Sequence, residues 1–339
     1  MAADEDESNP RHTDFQSVAL TVRGSSALIP DSPSLPPAIL AAGKPAETAW
    51  HDFFDGQIAN PHTRKAYNRA VRHFLAWVEE KGLPLKEIRA GHVGQFLQGH
   101  AGSLPTQKQH MAGLRRFFDL LVERHIILMN PASSARTARY SVVEGKTAEI
   151  TREQIQALLA AIDTSSIVGM RDRALIRTLI YTTARAGAVA KLRRQDFYIS
   201  GNQAHLRFAE KGGKSREIPV RHDLELDLNA YLEAAGLLEA APKAPIFPTA
   251  VRREKRFTAN PMKGEDVARM IRRRMKAAGL PRNLTAHSFR VAAITDLIKQ
   301  GVPIEDVQYL AGHADARTTR LYDRSERRVT RNIVERIGL

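Results

Sequence analysis

His287 and Arg290 lie three residues apart, and Tyr322 follows His313 by nine. These are residue types that can handle a phosphate ester. A guanidinium stays charged and donates in a planar fork, and imidazoles and a phenol can move protons or attack. The three-residue spacing puts His287 and Arg290 on one helix face, one turn apart. The surrounding stretch, TAHSFRVAAITDLIKQGVPIEDVQYLAGHADARTTRLY, reads as three short helices. The first starts near Thr285 and carries Val291, Ile294, Leu297 and Ile298 as its apolar stripe. Gly301 ends it, and Pro303 suits the first turn of the next helix. Gly312 is a good C-cap for the second, and Asp315 can cap a third that brings Tyr322 near its end. One compact unit would then offer a cation, two imidazoles and a phenol to a single anion, most naturally phosphate. The same residues also fit an ordinary helix-turn-helix with a basic helix, in which Tyr322 only packs.

The remaining elements must position that group. The chain has 339 residues, enough for two domains, and a hydrophobic fraction of 43%, enough for packed cores. Its formal net charge of +14 points to a polyanionic partner, nucleic acid ahead of a membrane surface. There is no cysteine, which excludes disulfides, thiolate metal sites and cysteine nucleophiles. No cluster has metal-ligand spacing, so neither a metal nor any other cofactor is expected. No apolar run approaches the length of a membrane span, and the acidic start is unlike a signal peptide. The expectation is a cytoplasmic, nucleoid-associated protein with no membrane partner.

In chain order, residues 1–46 read as a disordered acidic and Pro-rich arm. Residues 47–132 read as a helical domain. Asn60-Pro61 starts one helix, with Tyr67, Val71, Phe74, Leu75 and Val78 on one face. Leu85 to Leu97 suggests a third helix, and a fourth follows Pro105. His62, Arg64, Lys65 and Lys108 are candidate phosphate contacts there. Residues 133–149 lack periodicity and read as a linker. Thr151 with Gln154 makes a capping box that opens a second domain, residues 150–325. After Asp196 the period changes to two. Strands over Phe197–Ile199, Ala204–Phe208 and Arg216–Val220 make a small antiparallel meander, with Lys211 and Lys214 on its second turn. A helix over 265–278 carries Arg272 and Arg273, which could lie on DNA. Residues 326–339 read as a tail helix whose stripe of Val329, Ile333, Val334 and Ile337 needs a surface, on a neighbouring subunit or on its own domain.

Jointly, H-x-x-R, then L-x-G-H, then the tyrosine resemble the C-terminal box of the tyrosine recombinases, the phage-integrase and Xer-type family. Thr182, Arg185, Leu192 and Asp196 are similar to that family's first arginine box. EKGGKSREIPV is similar to its lysine hairpin, and HTRKAYNRAVRHFLAW resembles its core-binding domain. Two positions depart: Thr183 stands where the family usually has glycine, and Ala188 where it usually has an acidic residue that orients the arginine. The resemblance implies a mainly α fold with the β-meander, arranged as a two-domain, C-shaped DNA clamp of core-binding and catalytic domains. It implies that Arg185, Lys211, His287, Arg290, His313 and the nucleophile Tyr322 are catalytic, with Lys214 a backbone contact. It further implies a site-specific recombinase, independent of metal and ATP, that works through a 3′-phosphotyrosine and a Holliday junction. Its partners would be a double-stranded DNA site and three further copies in a homotetramer on two sites, with possible accessory DNA-bending factors. The alternatives are a type IB topoisomerase-like enzyme and a non-catalytic DNA-binding regulator on the same fold.

Overall fold

The computed structural model describes residues 34–138, 147–209, 215–251, 256–313 and 315–322. The chain divides into two units, Met1–Ser141 and Val142–Leu339.

The first unit is helical: α1 (Pro37–Ala41), α2 (Lys44–His51), a π-helical turn (Asp52–Gln57), α3 (Pro61–Glu80), α4 (Ala90–Gln98) and α5 (Leu104–Glu123). Asn60 starts α3 as the sequence predicts, its side chain accepting from the backbone N–H groups of His62 at 2.9 Å and Thr63 at 3.3 Å. The apolar face of α3 meets that of α5, burying Val71, Phe74 and Leu75 with Phe117, Phe118 and Leu121. Trp50 and Phe53 pack into the same core.

Three expectations need correction here. The arm expected over 1–46 gives way to helix at Pro37, and Ile39 and Ala46 are buried in the core. Pro37 and Pro45 sit in first turns, where proline costs no hydrogen bond, so these two prolines mark helix starts. Leu85 lies in a separate 3₁₀ turn, and α4 starts only at Ala90. The start of the expected linker also belongs to the first core. Ala135 is buried, and Arg115 donates to the carbonyls of Ala132 at 3.1 Å and Ala135 at 2.7 Å. The rest of the arm, linker residues 139–146 and the tail over 326–339 lie outside the described residues.

The second unit runs α6 (Arg152–Ala160), α7 (Ile167–Thr182), α8 (Ala186–Val189), β1 (Phe197–Ser200), β2 (Gln203–Ala209), β3 (Ser215–Pro219) and α9 (His222–Ala234). Then come β4 (Pro248–Val251), β5 (Arg256–Pro261), α10 (Gly264–Ala277), α11 (Ala286–Lys299), α12 (Ile304–Ala311) and α13 (Ala316–Arg320). The Thr151 capping box forms, each partner bonding the other's backbone N–H. The meander is antiparallel in the order β1-β2-β3, with Leu206 opposite both Phe197 and Ile218. A second ladder, β4 with β5, is one the sequence reading misses. The buried α7 is the spine of this unit: it packs on α9 and α11 and buries Leu175, Ile176 and Leu179. No helix among the described residues is long and apolar enough to cross a membrane.

Candidate active site

Helix starts and stops place the reactive groups. Thr285 caps α11 and accepts from the N–H of His287, so His287 occupies the first turn and Arg290 lies one turn on. Arg290 points inward and is only 2% exposed. Gly312, at φ 61°, turns the chain out of α12 and delivers His313. The Asp315 carboxylate caps α13, and Tyr322 follows two residues after that helix ends. Tyr322 packs with Leu297, Ile298 and Val302 around a small cluster of Ile294, Val307 and Ala311, apart from the main core.

These placements bring His287, Arg290, His313 and Tyr322 together. The Tyr322 hydroxyl and His287 Nε2 are 3.2 Å apart. The rings of His313 and Tyr322 stack at 5.6 Å with a 17° tilt. His313 is buried, and its Nδ1 lies 2.8 Å from the Thr319 hydroxyl. When Thr319 donates, the neutral imidazole carries its proton on Nε2 and can offer it to an anion.

The electrostatics are those of a cationic pocket. Burial, with the nearby charges of Arg290 and Arg185, holds His287 below the usual histidine range. Burial and the same two arginines push His313 down to about 4. Both imidazoles are therefore neutral at pH 7. Burial and Arg185 also pull Arg290 below the usual arginine value. Arg290 donates one N–H to the Thr183 carbonyl, while its Nε and Nη2 are buried with no hydrogen-bond partner. Arg185 is exposed at the N-terminus of α8 and has no hydrogen-bond or ion-pair partner among the described residues. Ala188, half-buried on α8, offers it no carboxylate.

The other expected site residues vary in placement. Lys211 and Lys214 lie outside the described residues. His62, Lys65, Lys108 and Arg272 are exposed. Arg64 is half-buried and donates to the Ile58 carbonyl through Nε at 3.3 Å and Nη2 at 3.2 Å. Arg273 donates to the fully buried Asp172 at 3.0 Å, so its charge is partly used inside the unit.

The sequence reading misses Thr319 and Arg216, and also a trio of histidines. His73, His100 and His110 come within 4.8 Å of one another, close enough in space for metal ligation though far apart in the chain. The hydrogen bonds argue for a neutral relay. The Gly102 N–H donates to His100 Nδ1 at 2.8 Å, which leaves the proton on Nε2, 2.9 Å from His110 Nδ1. A metal on His100 Nε2 would need that nitrogen bare and Nδ1 protonated. Burial lowers all three, His110 to about 4.

The class this fold and site define is confirmed by comparison. Residues 148–328 match the phage integrase family and residues 49–128 the phage integrase N-terminal SAM-like domain. The chain belongs to the phage integrase family, the tyrosine recombinases. It is 30% identical over 273 residues to tyrosine recombinase XerC 2 of Ralstonia nicotianae, covering 77% of this chain and 76% of that one. It is 28% identical over 277 residues to tyrosine recombinase XerD of Listeria monocytogenes, covering 77% and 87%. The fold is similar to that of the XerH site-specific recombinase bound to palindromic difH, with a TM-score of 0.65, 19% identity and 84% of each chain covered. It is also similar to a lambda integrase tetramer bound to a Holliday junction, with a TM-score of 0.60, 18% identity, and 84% of this chain and 80% of that one covered.

Proposed function

We propose that this recombinase cuts and rejoins DNA at a specific site through a covalent 3′-phosphotyrosine. The observation that carries the reading is the buried Arg290, whose two unpartnered nitrogens share a pocket with a tyrosine already in contact with a neutral histidine. A buried, unpaired cation is costly unless an anion completes it. A scissile phosphate has the charge and the fork of oxygens that Arg290 and Arg185 would hold.

The steps follow. The Tyr322 oxygen attacks phosphorus while its proton passes to His287 Nε2. Arg185, Arg290 and the Nε2–H of His313 stabilise charge on the phosphoryl oxygens. The bond from phosphorus to the 5′ oxygen breaks, and Lys211 protonates that oxygen as it leaves. Another strand's 5′ hydroxyl then attacks the phosphotyrosine, releases Tyr322 and reseals the backbone without ATP. Lys214, Arg272 and the exposed residues of the first unit, His62, Lys65 and Lys108, are proposed backbone contacts. Arg64 and Arg273 would contribute less, being held by Ile58 and Asp172. The first unit is proposed as core-binding and the second as catalytic. Four copies on two DNA sites would pass through a Holliday junction; the lambda integrase tetramer solved on such a junction supports this.

The test traps the adduct. The protein is incubated in excess EDTA with fragmented genomic DNA from its source, and covalently bound ends are recovered and sequenced. Attachment through the 3′ phosphate at one recurring site is expected, with none from Tyr322→Phe, which still binds DNA. Attachment that survives Tyr322→Phe, or that needs added Mg²⁺, would overturn the reading. Attachment spread over unrelated sequences would favour the type IB topoisomerase-like alternative.

A further inference from the structure

We propose that Thr183 and Arg216 clamp the Leu310 carbonyl and thereby set His313 against Tyr322, which makes both positioning residues for strand cleavage. The proposal rests on the recombinase reading above. Leu310 lies in the last turn of α12, where carbonyls have no regular helical partner. Neighbouring carbonyls are taken locally: Gly312 N–H donates to Tyr309 at 3.0 Å, and His313 N–H donates to Gln308 at 3.1 Å. The Leu310 carbonyl instead accepts from two distant residues. One is the Thr183 hydroxyl at 3.1 Å, from the end of α7; the other is Arg216 Nη1, from β3.

Thr183 is well placed for leverage. Its own carbonyl accepts from Arg290, so one residue ties α11 and α12 to the end of α7. It is 1% exposed and has φ 51°, the left-handed region that a β-branched residue rarely enters. The family pattern has glycine here, which takes that conformation freely. What threonine adds at this position is a hydroxyl, and the hydroxyl is spent on Leu310. Arg216, 7% exposed, lies over the Phe208 ring at 5.7 Å, which fixes the direction of the second donor. Leu310 is three residues before His313, and only the Gly312 turn and Ala311 lie between. Moving the end of α12 therefore moves the imidazole that stacks on the nucleophile.

Three substitutions separate the hydroxyl from the backbone. Thr183→Val keeps the shape and loses the donor, Thr183→Ser keeps the donor, and Thr183→Gly loses the donor while relieving the backbone. Each is made in the full chain. Cleavage is timed on a nicked suicide duplex carrying the site recovered by trapping, beside DNA affinity, melting temperature and the ring ¹⁵N signals of His313 in free protein. Val and Gly should slow cleavage by roughly 10- to 100-fold, as expected for a small misplacement of a reacting group. DNA affinity should hold, Ser should restore most of the rate, and the His313 signals should move in Val and Gly but not in Ser. Thr183→Gly should melt no lower than Thr183→Val, which separates positioning from folding. Wild-type rates in Val and Gly with unmoved His313 signals would overturn the clamp. If the wild-type protein forms no adduct, the recombinase reading fails, and the His313 signals alone then decide whether the clamp exists.

Discussion

Arg171 and Arg290 are buried to nearly the same degree, 4% and 2% exposed, in the same unit, yet they are opposite in kind. Arg171 donates through Nε and Nη2 to Asp172 at 3.0 and 2.7 Å and through Nη1 to the Pro248 carbonyl at 2.8 Å. Arg273 and Arg274 complete Asp172, and Phe257 lies under the Arg171 guanidinium at 5.4 Å. That cluster joins α7, α10 and β4, and each guanidinium nitrogen of Arg171 has a partner, a carboxylate oxygen or a carbonyl. Arg290 meets one carbonyl, leaves two nitrogens unanswered, and has the like charges of Arg185 and Arg216 near it. Burial of an arginine therefore says little by itself. What separates a brace from a binding group is whether the fold supplies its counter-charge.

The largest test of this contrast exchanges each arginine for methionine. Arg290→Met removes an unpaired charge, so stability should hold or rise, while cleavage of the suicide duplex should fall by about 10²–10³-fold. Arg171→Met breaks a buried pair and should cost about 3 kcal/mol in urea unfolding, the low end for such pairs because Arg273 and Arg274 remain on Asp172. An Arg290→Met protein that unfolds while Arg171→Met stays stable would erase the distinction.

A smaller effect is expected with pH. The folded-state value of His313, about 4, lies below the unfolded value of about 6.5. Between the two the unfolded chain binds more protons, so stability present above pH 6.5 is lost as pH falls toward 4. The loss assigned to His313 is about 3 kcal/mol at most. Burial is its first cause and Arg290 its second, so Arg290→Met should raise the His313 pKa and narrow the loss. Arg171→Met should leave that pKa alone. Histidine NMR titrations decide the point, and an unchanged pKa in Arg290→Met would mean the two arginines do not differ in the field they project.

The smallest effect is a ligand shift. Sulfate is a poor mimic of the scissile phosphate, but at ten times its dissociation constant it should stabilise the wild-type chain by about 1.4 kcal/mol. Arg171→Met should keep this rise in melting temperature and Arg290→Met should lose it. Equal rises in both variants would place the anion elsewhere.

The residues that converge are legible because local chemistry punctuates them. Thr285, Gly312 and Asp315 start and stop helices by backbone rules that need no tertiary context, and those stops bring His287, His313 and Tyr322 round. The meander is legible for the same reason, since the period of two begins after Asp196. What stays hidden depends on distant partners. Asp172 meets Arg273 across 101 residues and Arg274 across 102, so a basic helix that reads as free for DNA has two arginines already held. Thr183 is visible as a departure from glycine, but its use appears only when Leu310, 127 residues away, is in place. The β4-β5 ladder begins and ends in proline, which argues against a strand wherever the sheet edge is unknown. Prolines mislead in the opposite sense at Pro37 and Pro45, where they start helices.

The histidine relay of the first unit constrains how this chain can change by mutation. A Cβ on Gly102 would meet His100 Cε1 at 2.5 Å and Nδ1 at 2.8 Å. Any side chain at 102 thus collides with the ring its own N–H supports. Substitutions at the two positions are epistatic and ordered: residue 102 can gain a side chain only after His100 has moved or been replaced. That replacement in turn strands His110, which is buried and whose Nδ1 rests against His100. The accessible route through sequence space begins at His110 and reaches the glycine last.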